Sequence, residues 1–244
     1  MSDTEKSKNS SRWWEYYVVR YFIGTIVGAG AILMFNEESA SPLKGALFPA
    51  ISSFKDAGIH HLLVLIALGL AYCYIASAPI LTIHSLRAQI EFDGKRCLSS
   101  SSAWLVAFFT VLIASAYLFL SLPLLSWRFF AIIFVCLILA LQLTLFVEAK
   151  RNGFDKITSY YWSLSTARAS ASPQVQEYVE SYRHLREHGN AFAIIIFELG
   201  FAMAAIAVPS LSMLAILLLL WVIPAAAVWM VGTILEMKLA NAPK

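Results

Sequence analysis

The sequence predicts an all-α protein: a polytopic transmembrane helical bundle of about six spans, with both termini cytoplasmic and a short amphipathic cytosolic helix between spans four and five. Three observations carry this expectation. Of the 244 residues, 59% are hydrophobic and only 14% are charged, and the mean hydropathy of +0.71 lies outside the range of chains that surround a core with a charged surface. The apolar residues gather in six largely uncharged runs. Each comes close to the roughly 20 helical residues needed to cross about 30 Å of hydrocarbon, where every backbone polar group must be satisfied inside the segment. Between the runs, the basic residues segregate to one side.

The elements follow in order. Residues 1–15 form a polar tail without a cleavage signal, and the first apolar run is expected to be an uncleaved signal anchor. Span one extends from Tyr16 to Phe35, with Arg20 near enough to its start to reach back to the headgroups. An outer loop, Asn36 to Ile59, carries the turn formers Pro42, Gly45, Pro49 and Gly58. Span two, Leu62 to Ser85, has no formal charge and contains Pro79. Span three is expected over Ala103–Leu122, and a turn at Pro123–Arg128 separates it from span four, Phe129–Val147, which closes the first membrane block at residues 16–147.

Residues 148–190 form the one sizeable stretch outside the bilayer. Ser172 and Pro173 suit an N-cap and a first helical position. Val175, Tyr178, Val179, Tyr182 and Leu185 then recur at helical spacing, opposite Glu177, Glu180, Ser181, His184, Glu187 and His188. Gly189 is expected to stop or bend this helix. From Gly189 to Met237 the only charges are Glu198 and Glu236, and Pro209-Ser210 supplies the natural break. The second membrane block, 191–237, therefore divides into Ala191–Val208 and Met213–Leu235, leaving a tail at 238–244.

An even number of crossings places fifteen of the 18 Lys and Arg residues on one face. Only Lys44, Lys55 and Arg128 fall on the other. Basic residues are retained on the cytoplasmic side, so the expected site is a bacterial inner membrane with both ends inside. Cys73 and Cys136 lie in apolar runs and Cys97 in a basic loop, without the paired spacing of a disulfide framework or zinc site.

Four groups of residues are candidates for chemistry or assembly. His184-Leu185-Arg186-Glu187-His188 places two imidazoles at i and i+4, as a divalent metal requires, with Glu180 one turn upstream. Inverzincin proteases use the same spacing, but they are large soluble enzymes and need a further downstream acidic ligand that this chain has no room for. A solvated charged face is the plainer reading. Glu198, about seven residues into an apolar span, is a functional candidate because an intramembrane carboxylate costs several kcal/mol unless it is neutral, paired or hydrated. Pairing with Arg20, Arg87 or Arg151 would be structural; a proton or ion path is the alternative. His84, Arg87, Glu148, Arg151, Asn152, Arg183 and Asn190, with His188, would form a polar ring at the inner leaflet, suited to a lipid headgroup, a nucleotide, a protein partner or plain anchoring. Gly24 and Gly28, with Gly30 beside them, and Gly200 with Ala204 carry the small-residue spacing of close helix packing.

Phosphate-cradling glycine loops, nucleophile elbows and paired cysteine motifs do not occur in the sequence. Apart from Glu198, polar residues within the spans are mainly Gln142, Thr144, Thr25, Ser77, Thr110 and Ser115. The expected role is therefore non-enzymatic: a membrane component that forms homo-oligomers or binds a cytosolic protein, acting as a sensor, a scaffold or a conductive effector, for example of a stress or phage-defence module. An interfacial enzyme with a metal on the H-x-x-E-H helix and a small proton-coupled transporter using Glu198 are the alternatives. No cofactor is expected, nor direct binding to nucleic acid.

Overall fold

The computed structural model describes residues 13–47, 58–86, 127–170 and 172–240. Among them every regular element is a helix: α1 Trp13–Glu37, α2 Ile59–Ser85, α3 Trp127–Asn152, α4 Phe154–Ala169, α5 Pro173–Ala207 and α6 Leu211–Ala240. The expected third span, 103–122, lies outside the described residues.

Four segments have the length and composition to cross a membrane: Ile59–Ser85, Trp127–Lys150, Gly189–Ala207 and Leu211–Ile234. Tyr21–Glu37 of α1 is a shorter apolar helix. Their outward faces carry Phe22, Ile26, Leu62, Leu63, Phe130, Phe192, Leu219 and Trp229, all exposed. So much contiguous apolar surface is incompatible with water and suits lipid. The chain is a multi-pass membrane protein. Half of the Gly189–Ala207 window is buried, 50% against 28–33% for the other three, so this part of α5 is the most enclosed of the four. It packs against α1, α2 and α3, while α2 also packs along α1 and α6.

Small residues set the closest approach. On α1 and α2, Gly28 and Gly69 meet backbone to backbone, and a Cβ on either would collide with main-chain atoms of the other helix. One turn away, Gly24 faces Cys73, so the two helices run antiparallel. On α5, Gly200 lies under the Phe134 ring of α3, and Ala204 is buried in the main core.

That core centres on Trp221 of α6, fully buried against Phe197 and Phe201 of α5 with ring centroids 6.0 and 5.0 Å away. A buried indole N–H requires an acceptor; here it donates to the Ala76 carbonyl at 3.0 Å. Pro79 lies three residues further along α2. A proline within a helix opens the turn before it, and this turn contains the Ala76 carbonyl. Neither Pro79 nor Pro224 ends its helix.

The structure departs from the sequence expectations in the 148–190 stretch. Gly189 does not stop the helix: residues 173–188 are the first four turns of α5, which continues unbroken to Ala207. One helical glycine costs only about 1 kcal/mol relative to alanine, and nothing occupies the space beside Gly189 that would force a turn. The stretch also contains a helix the periodicity did not reveal, α4. It is separated from α3 by Gly153 at φ 75°, a left-handed conformation that glycine adopts without a Cβ penalty. The α3 helix itself runs past Val147 to Asn152.

Ile157 of α4 is buried with Leu86, Leu145, Ala149 and Val228, a second core that ties α4 to the ends of α2, α3 and α6. The Tyr161 hydroxyl lies 3.2 Å from the His84 carbonyl and 3.1 Å from that of Ser85. The last carbonyls of any helix lack intrahelical donors. Tyr161 thus caps α2 from a separate element.

Candidate functional site: a buried carboxylate on the central helix

Glu198 extends from α5 into the bundle and is 0% exposed. The sequence allowed it to reach the inner headgroups; the structure turns it inward instead. Its neighbours are Gly24 of α1, Cys73 of α2 and Ile194 one turn back on its own helix: a Cβ added to Gly24 would lie 3.3 Å from Glu198 Oε1 and 3.3 Å from Ile194 Cγ2, and would collide with Cys73 Sγ. The missing side chain of Gly24 therefore makes room for the Cys73 thiol that abuts the carboxyl group. The Cys73 thiol touches the carboxylate, but neither carboxylate oxygen has a hydrogen-bond partner of proper geometry. A thiol is a weak donor in any case.

The main chain at this position is more firmly held. The Tyr72 hydroxyl donates to the Glu198 carbonyl at 2.6 Å, and the Tyr72 ring packs on Phe35 and Phe201 at 5.5 and 6.2 Å. Backbone position is fixed while the side chain has no fixed donor. Ionised and uncompensated in an apolar medium, a carboxylate is strongly unfavourable, and such groups persist by holding a proton.

Nearer the α4 end of the bundle, two residues of the expected polar ring meet. His84 Nε2 and Asn190 Oδ1 lie 2.9 Å apart, joining the end of α2 to the start of the apolar part of α5. Glu148 is buried on α3, next to Ala149 of the second core. Arg87 and the side chains of Arg151, Asn152 and Arg183 lie outside the described residues, as do the side chains of Arg20, His184, Glu187 and His188. Asn190 and Glu198 are eight residues apart on one helix, about 12 Å along its axis. Among the described residues no group of three metal-ligating side chains comes together.

Half-buried hydroxyls within the helices are satisfied locally. The hydroxyls of Thr25 and Ser77 donate to the carbonyls four residues earlier, Tyr21 and Cys73, each at 2.6 Å. Such back-bonding is how isolated hydroxyls are accommodated in an apolar helix. Thr82 Oγ1 donates to Gln142 Oε1 at 3.0 Å between α2 and α3, while Gln142 Nε2 has no partner.

Sequence reasoning singled out Glu198, and Gly24 as a packing residue, but did not bring the two together. Cys73 read as an unpaired thiol without a chemical role, and Tyr72 was not singled out. The available signal was the antiparallel match of small residues on spans one and two, with Gly69 and Cys73 one turn apart on span two. No family model, no curated protein and no solved structure matches the chain.

Proposed function

We propose that the protein is a non-enzymatic membrane sensor that relays the protonation state of Glu198 to a cytosolic protein partner, within a bacterial inner membrane and with both chain ends in the cytoplasm. The continuity of α5 carries this reading. One helix of 35 residues, Pro173–Ala207, about 52 Å at 1.5 Å per residue, links the buried carboxylate to residues 173–188. The apolar stripe from Val175 to Leu185, evident in the sequence, is the output surface that an amphipathic partner would dock on. The basic asymmetry of the loops supports the orientation.

Charge appearing at Glu198 favours a path towards water or a cation, and the Tyr72 bond couples that displacement to α2. The His84–Asn190 contact is the next point at which α5 and α2 move against each other. A shift of α5 against its neighbours is a known form of switching.

The test uses the full chain in lipid nanodiscs, carrying Cys97→Ser and a bimane label at Glu177→Cys. Emission that changes with pH, and no longer does so when Glu198→Gln is added, is the expected result. An identical pH profile in both proteins would overturn the reading. The conductive alternative, including a depolarising effector of a defence module, is addressed by a membrane-potential dye on induced cells.

A further inference from the structure

We infer that the first turn of α2 is an acid-sensitive device, in which the His61 imidazole caps the helix while neutral and lets go of it when protonated. The device lies at the end of α2 opposite the α4 clamp, which holds Leu86. In the orientation proposed above that end faces outward, so the device answers to acidity outside the membrane, separately from Glu198. Its sidedness rests on that orientation; its chemistry does not.

The usual N-cap residue is Ser, Thr, Asp or Asn, whose side chain accepts from an amide of the first turn. The N-cap of α2 is Gly58, which has no side chain to offer. What remains is the reciprocal half of a capping box, in which the third helical residue, ordinarily Glu or Gln, reaches back to the N-cap amide. Here that residue is His61, and its Nδ1 accepts from the Gly58 N–H at 3.2 Å. An imidazole nitrogen accepts only while unprotonated, since both nitrogens of the imidazolium are donors. Two further features disfavour the charged form. The His60 ring lies against that of His61, centroids 3.8 Å apart, and folds over Gly58, where a Cβ would come within 2.9 Å of it; two imidazolium groups at that spacing repel. The start of a helix also carries partial positive charge, and the first turn of α2 supplies no carboxylate. The charged groups at this end of the neighbouring elements are Glu37 and Glu38 closing α1, Lys44 beyond it, and Arg128 of α3, which lies over the Trp127 ring. Glu38 Oε1 faces the Ala40 amide, and among the described residues no carboxylate pairs with either imidazole. The cap bond belongs to the neutral ring. Its contribution is therefore present at and above neutrality and lost as the pH falls through the range where imidazoles take up a proton, roughly pH 7 to 5.

The experiment measures amide hydrogen exchange of the full chain in nanodiscs, which expose both faces and make the outcome independent of orientation. Protection over residues 58–63, corrected for the intrinsic pH dependence of exchange, is compared at about pH 7.5 and about pH 5, on either side of the imidazole range. It should fall by roughly fivefold on acidification, the order expected for loss of a helix cap. His61→Gln retains an acceptor that does not titrate and should keep the protection at both pH values. His61→Leu removes the acceptor and should show the low protection at both. Glu198→Gln should leave the response intact, which separates this device from the buried carboxylate. Equal protection of the parent at the two pH values, a response that persists in His61→Gln, or one that disappears in Glu198→Gln, would overturn the inference.

Discussion

Gly28 of α1 and Gly69 of α2 mark the closest approach of the two helices: a side chain on Gly28 would run into the Gly69 backbone, and one on Gly69 into the main chain of Thr25 and Ala29. The contact brings the two helices close enough for Gly24 to lie over Cys73 and for the Glu198 carboxyl group to reach the gap between them. Lipid provides no hydrophobic force to hold helices together, so close van der Waals packing of this kind carries a large share of their association.

Gly28→Leu or Gly69→Leu should therefore destabilise the protein by at least the roughly 1–3 kcal/mol typical of overpacking, since the obstructing atoms are main chain and cannot swing aside. Gly30, which faces open space, supplies the control. Gly30→Leu should stay within about 0.5 kcal/mol of the parent. Thermal unfolding in one detergent, comparing all three variants, checks the ordering.

The glycine pair shows what was legible in the sequence and what was not. Gly24, Gly28, Gly200 and Ala204 were identifiable as packing positions because small residues four apart share a helix face. Their partners were not, since spacing along one helix carries no information about what lies opposite. The membrane class and the break at Pro209-Ser210 followed from hydropathy and turn residues, whereas Trp127 and Arg128, expected in the turn before span four, open the α3 helix. The α4 helix did not, because among its described side chains Ile157 is the one buried aliphatic and a single anchor produces no periodic stripe. Gly189 was over-read: a helix-breaking tendency worth about 1 kcal/mol yields to the packing of the remaining α5 turns.

At the carboxylate, Gly24→Ala should perturb the site through Cys73 rather than directly. The new methyl group would collide with Sγ but sits at a near-contact 3.3 Å from Glu198 Oε1. Cys73→Ala removes the obstruction. The double variant should recover part of the loss, giving a coupling energy of about 0.5–3 kcal/mol in a double-mutant cycle; strict additivity would mean that the two residues do not share the space.

Tyr161→Phe removes the hydroxyl that caps the final carbonyls of α2 from α4. Such a deletion should cost about 0.5–1.5 kcal/mol. Its effect should be local, with faster amide exchange in α4 and in the last turn of α2 and little change in α1. Exchange that accelerates uniformly across the bundle would show that α4 is not a separate clamp.

Glu198→Gln keeps the shape of the side chain and removes its capacity to ionise. Because neither oxygen of the acid is hydrogen-bonded, the variant should be at least as stable as the parent. Induced cells stained with a membrane-potential dye should show no depolarisation from either protein if Glu198 serves sensing. A depolarisation by the parent that disappears in Glu198→Gln would instead assign a conductive path through the carboxylate.

The relay depends on α5 being one rigid rod across Gly189. Spin labels at Glu177→Cys and Phe192→Cys, introduced into the full Cys97→Ser chain in nanodiscs, test this by their separation in double electron–electron resonance. Fifteen residues of continuous helix predict a single narrow distribution corresponding to a backbone separation of about 22 Å. A broad or bimodal distribution, or one centred well below that length, would show a joint at Gly189 and contradict the account.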